Sequence, residues 1–132
     1  MFRKCALTAI FLTALALLAS ANQVGAQARV RVRFARGASS ATLRGRVTGY
    51  KYIDYITVVR AGQTLKLKLE TGGSAGFVIF APSGENINGG IDGIRFTVET
   101  EFTGDYKIRV LQPRAFARRH NASNYTLRIS IE

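Results

Sequence analysis

From residue 30 onward, apolar and polar residues alternate with a period of two along most of the chain. Val30, Val32 and Phe34 are interleaved with Arg31 and Arg33, and Leu65, Leu67 and Leu69 with Lys66 and Lys68. Tyr106, Ile108 and Val110 are interleaved with Lys107 and Arg109, and Tyr125, Leu127, Ile129 and Ile131 with Thr126, Arg128 and Ser130. This is the pattern of a strand with one buried and one wetted face, since successive side chains of extended backbone point to opposite sides. Ile94, Phe96 and Val98 form another such stretch. Residues 55–59 and 77–80 are less regular but rich in β-branched and aromatic types, and residues 43–47 carry a weaker signal. Turn-forming clusters punctuate these runs at Ala61-Gly62-Gln63, Thr71-Gly72-Gly73-Ser74, Pro82-Ser83-Gly84 and Thr103-Gly104-Asp105. No sustained helical period and no internal repeat interrupts them. The pattern predicts an all-β, single-domain antiparallel β-sandwich, jelly-roll-like, of about eight strands.

The first 28 residues do not share this pattern. Arg3 and Lys4 precede an apolar run over residues 5–19, which is followed by the small-residue triplets Ala19-Ser20-Ala21 and Ala26-Gln27-Ala28. A run this short and Ala-rich falls below the roughly 20 strongly apolar residues of a membrane span. The layout is that of a secretory signal peptide, with cleavage expected after Ala28 and Ala21 as the alternative. Residues 1–28 are therefore assigned as the signal and 29–132 as the domain, with no stable membrane insertion after cleavage. Cys5 lies ahead of the apolar run, not at a cleavage point, so no lipid anchor is expected. The exported domain keeps no cysteine, and packing alone must stabilise it.

Removal of the signal leaves 17 basic and 8 acidic residues, a net charge of +9. Such a balance favours an acidic partner, and outside the cytoplasm nucleic acid is not expected to be that partner. Catalysis is not expected either. His120 is the single histidine, it sits among arginines, and a nucleophile–histidine–acid arrangement has no other histidine to use. Glu99 and Glu101 share one face of a predicted strand instead of facing each other across a cleft as paired glycosidase carboxyls do. The Gly/Asn-rich loop over residues 82–93 has oxygen donors but not the spacing of a calcium loop. No metal and no cofactor are expected. Asn121 and Asn124 fit the glycosylation acceptor pattern and read as ordinary loop and strand-start residues.

Two segments remain as candidates for binding. Residues 112–124, QPRAFARRHNASN, form a long connection carrying Arg114, Arg118 and Arg119. Arg114 and Arg118 are four apart, so a single helical turn, with Pro113 at its first position, would set both on one side. The stretch Gly49-Tyr50-Lys51-Tyr52-Ile53-Asp54-Tyr55 clusters three tyrosines. Tyrosine supplies rigid contact area and arginine a forked donor, the pairing typical of protein-binding hot spots.

In these segments the chain resembles the periplasmic inhibitors of g-type lysozyme. The likeness is carried by Gly37-Ala38-Ser39-Ser40-Ala41, by Gly49-Tyr50-Lys51-Tyr52 with Tyr55, and by Tyr106-Lys107-Ile108-Arg109-Val110-Leu111-Gln112. Arg114, Ala117-Arg118 and Asn124-Tyr125 complete it. Pro113 and Phe116 depart from the family's pattern. The resemblance implies a periplasmic β-sandwich that plugs the substrate cleft of a g-type lysozyme. Tyr50, Arg114 and Arg118 would be the partner-binding residues, with Tyr52 and Arg119 in support. The alternative is a non-catalytic envelope domain that holds an anionic polymer or another exported protein on a basic face around Arg31, Arg33, Lys66 and Lys68.

Overall fold

The computed structural model describes residues 28–88 and 94–132. The signal assignment falls almost wholly on residues outside this range, as does the end of the Gly/Asn-rich loop. Among the described residues, eight strands fold into two four-stranded sheets: β1 (Ala28–Arg31), β2 (Ser40–Thr48), β3 (Ile53–Val59), β4 (Thr64–Thr71), β5 (Gly76–Phe80), β6 (Arg95–Glu99), β7 (Gly104–Leu111) and β8 (Ala122–Ile131). One sheet has the order β1-β3-β7-β5 and the other β2-β8-β4-β6. Every odd-numbered strand thus lies in one sheet and every even-numbered strand in the other, so the chain changes layer at each connection. The alternation explains why two layers are needed. Each sheet has one apolar face, which is removed from water only against the other. Val59, Leu65, Phe77, Ile108, Leu127 and Ile129 meet between the sheets, all but fully buried.

The structure corrects or extends several details of the sequence reading. Among the described residues the antiparallel expectation holds for every strand pairing but one: β1 runs parallel to β3, with Ala28 opposite Ile53 and Arg31 opposite Ile56. β1 is a short edge strand, so Val30 is exposed and the alternation reaches the core only at Val32. The weak signal at residues 43–47 belongs to the nine-residue strand β2. Its pattern is diluted by Gly45, whose missing side chain leaves room for Tyr125, its cross-strand neighbour. Glu101 lies beyond the end of β6, so it does not share a strand face with Glu99. Among the described residues no helix is long and apolar enough to cross a membrane.

Candidate functional site

The strand registers decide which connections share an end of the sandwich. β3 pairs antiparallel with β7, placing Ile53 opposite Val110, and β5 pairs antiparallel with β7, placing Gly76 opposite Leu111. β8 starts alongside the ends of β2 and β4, with Ala122 opposite Thr48 and Tyr125 opposite Thr71. The β2–β3 turn, the β4–β5 loop and the β7–β8 connection therefore converge at one end. The first of these carries Tyr50 and the last carries the arginines.

Tyr50 occupies the tight β2–β3 turn and is 58% exposed, the ring standing in water. The turn needs Gly49, whose φ of +58° lies in the left-handed region that residues with a Cβ avoid. In the β7–β8 connection, Arg114–Ala117 form a single helical turn, α1, as the spacing predicts. Pro113 sits one position earlier than expected, capping the turn; its carbonyl accepts from the Phe116 and Ala117 amides at 3.0 and 2.9 Å. Ala117 is fully buried and anchors α1, while Arg114, Arg118 and Arg119 are exposed. His120 is exposed as well, and its positive φ of 54° ends the turn.

The two segments touch. The Gly49 amide donates to the Asn121 carbonyl at 2.9 Å, and Gly49 lies against the Ala117 carbonyl and the His120 ring. The sequence-separated Tyr50 and Arg114–Arg118 segments thus share one rim. Phe116, which sequence reasoning noted only as a departure, is 42% exposed on the same connection. With Gly72, Gly73, Ser74 and Asn121 it lines an open hollow of about 480 Å³.

Tyr52 is placed differently from Tyr50. The Arg109 guanidinium stacks over its ring at 3.9 Å and binds the Asp54 carboxylate through two hydrogen bonds of 2.8 and 3.1 Å. Held against a carboxylate in a partly buried setting, Arg109 has its pKa raised and stays charged. Tyr52 is half-buried and belongs to the packed outer surface of the β1-β3-β7-β5 sheet.

The first residue of the 112–124 connection is structural. Gln112 is buried, only 4% exposed. Its amide nitrogen donates to the Asn121 carbonyl at 2.6 Å and to the Gly49 carbonyl at 3.3 Å. Its oxygen accepts from Ser123 Oγ at 2.8 Å and from Ser74 Oγ at 3.0 Å. The signal that would have found it is the same period of two: Gln112 continues the buried series Tyr106, Ile108 and Val110 one residue past the end of β7.

The broad basic face of the alternative reading is not assembled. Arg31 lies in one sheet, with two hydrogen bonds of 3.2 and 3.0 Å to Asp105. Lys66 and Lys68 lie on the outer face of the other sheet, ion-paired to Glu132 and Glu70 at 2.9 Å each. Arg31 holds the Asp105 carboxyl below its ordinary pKa, and Lys68 does the same to Glu70. These cations are spread over two faces and partly neutralised.

No family model matches the chain. A curated relative, the inhibitor of g-type lysozyme of Escherichia coli (strain K12), is 28% identical over 138 residues, spanning 98% of this chain and 96% of the relative. Among solved structures, the chain is similar to a periplasmic inhibitor of g-type lysozyme from Aeromonas hydrophila, with a TM-score of 0.74 and 38% identity over 80% of this chain and 96% of that one. It is also similar to the corresponding Salmonella Typhimurium protein, with a TM-score of 0.68 and 28% identity over 81% of this chain and all of that one.

Proposed function

The chain belongs to the family of periplasmic inhibitors of g-type lysozyme, and on that footing we propose that it is a periplasmic binding protein that blocks a g-type lysozyme by occupying its substrate cleft. It is not an enzyme. Tyr50, Arg114 and Arg118 are the contact residues in this reading, and Arg119 supports them at the rim. The observation that carries it is the convergence of an exposed tyrosine turn and an exposed two-arginine helical turn at one end of a rigid sandwich.

The chemistry of the two sides is complementary. A glycosidase cleft carries catalytic carboxyl groups, and a guanidinium binds a carboxylate through two parallel charge-assisted hydrogen bonds. The tyrosine ring offers flat apolar area with one hydroxyl where a sugar would stack. A plug of this kind acts one to one and hydrolyses nothing. Titration of a g-type lysozyme with the purified domain should abolish activity near an equimolar ratio. Activity left untouched by a large excess would refute the proposal.

A further inference from the structure

We propose that Gln112 is a positioning residue that sets the geometry of the inhibitory rim without touching the partner. The inference rests on the lysozyme-binding reading for its functional consequence, but its structural basis is independent. All four hydrogen-bonding positions of the buried carboxamide are used, and each goes to a segment at the same end of the sandwich. The two donors hold Gly49 in the β2–β3 turn and Asn121 after α1. The two acceptor positions hold Ser74 in the β4–β5 loop and Ser123 at the start of β8. Ser123 Oγ in turn accepts from the Ser74 amide at 3.0 Å.

One side chain thereby joins all three connections that meet at the rim. Tyr50 follows Gly49 directly, and Arg118 precedes Asn121 by three residues, so the spacing between tyrosine and arginines is transmitted through this amide. Contact residues held by buried polar groups enter a cleft with less ordering cost than residues on free loops. Leaving the partners of such a group unpaired in the interior is costly, which is why a shift of the loops, bringing water to them, is the expected response to its loss.

The test uses two variants of the full domain and two readouts. Gln112→Glu keeps the acceptors for Ser74 and Ser123 but turns a carboxylate toward the Gly49 and Asn121 carbonyls. Gln112→Leu removes all four bonds. In the free protein, hydrogen exchange of the Gly49 amide, which donates to Asn121, should speed up at least about tenfold in both variants. Core amides of β4 and β8 should speed up much less than the Gly49 amide. Affinity for a g-type lysozyme should fall about tenfold or more in both variants.

The affinity of Gln112→Glu, taken relative to the unsubstituted protein at each pH, should recover as the pH falls and the carboxyl regains a proton to donate; that of Gln112→Leu should not. In a Tyr50→Ala, Arg118→Ala background, Gln112→Leu should cost less than about twofold, because nothing is left to position. Gly49 protection that is unchanged in both variants would overturn the proposal. So would an affinity loss that is equal in both backgrounds. If the unsubstituted protein binds no lysozyme, the functional reading fails, and the exchange of Gly49 still decides whether Gln112 locks the loops.

Discussion

The hydroxyls of Tyr55 and Tyr125 lie 2.6 Å apart in the core, where β3 of one sheet faces β8 of the other. The rings meet edge to face, with centroids 6.5 Å apart and planes at 81°. Each side chain is 4% exposed, so each hydroxyl relies on the other in place of water. Gly45, opposite Tyr125 in the β2–β8 register, lies beneath this pair: a Cβ there would overlap the Tyr125 hydroxyl and ring. Gly45→Ala should therefore destabilise the domain by about 1–3 kcal/mol, the usual cost of overpacking a core. An unchanged denaturation midpoint in urea would contradict this.

The same pair makes stability fall in alkali. Burial raises the pKa of both tyrosines. For Tyr125 the bond to Tyr55 adds to the rise; for Tyr55 burial outweighs the opposing effect of the bond. The folded protein thus holds these protons when the unfolded chain has begun to release its own, near pH 10. The contribution to stability is full below about pH 10 and declines as the pH rises beyond it, by up to about 1.4 kcal/mol per pH unit for each proton. Urea midpoints measured from neutral pH to about pH 11 should show this decline. The double variant Tyr55→Phe, Tyr125→Phe should start less stable and lose most of the dependence.

Tyr50 and Tyr52 should separate cleanly. Tyr50→Ala removes an exposed ring, so stability should change by less than about 0.5 kcal/mol while affinity for lysozyme falls. Tyr52→Ala removes the ring beneath Arg109 and should cost about 1–2 kcal/mol of stability. Parallel thermal melts and inhibition titrations would expose the opposite result.

Arg118 and Arg31 offer a second contrast. In the complex Arg118 would face a desolvated carboxylate, and Arg118→Ala should cost about 2–5 kcal/mol of binding, a factor of roughly 30 to several thousand. Arg31 is exposed and already engaged by Asp105. Arg31→Ala should alter affinity by less than about threefold. Equal and modest losses, measured by calorimetry, would mean that the charge acts diffusely.

Phe116 stands beside the Gly72–Ser74 loop as an exposed aromatic at the rim. Phe116→Ala should leave the melting temperature within about 2 °C and weaken inhibition by about five- to thirtyfold, as for a partly buried aromatic contact at an interface. Unchanged inhibition would place Phe116 outside the contact surface.

Much of this was legible in one dimension. Alternation at Leu65–Leu67–Leu69 and Tyr125–Leu127–Ile129 requires strands with one buried face, because extended backbone turns every second side chain the same way. The four-residue spacing of Arg114 and Arg118 after Pro113 was enough to predict α1. The motifs around Tyr50 and Arg118 sufficed to point to the family. What the sequence did not contain is which strands pair. That β1 joins β3 in parallel, that successive strands alternate between sheets, and that Arg31 and Lys66 end on different sheets are outcomes of burying all the apolar faces at once. Local turn signals do not encode that non-local optimum. The role of Gln112 is of the same kind. The period of two could place it on the inner face, but only the meeting of three connections at one end supplied Gly49, Ser74, Asn121 and Ser123 as partners, since a buried amide is tolerated only where the fold satisfies every hydrogen bond it can make.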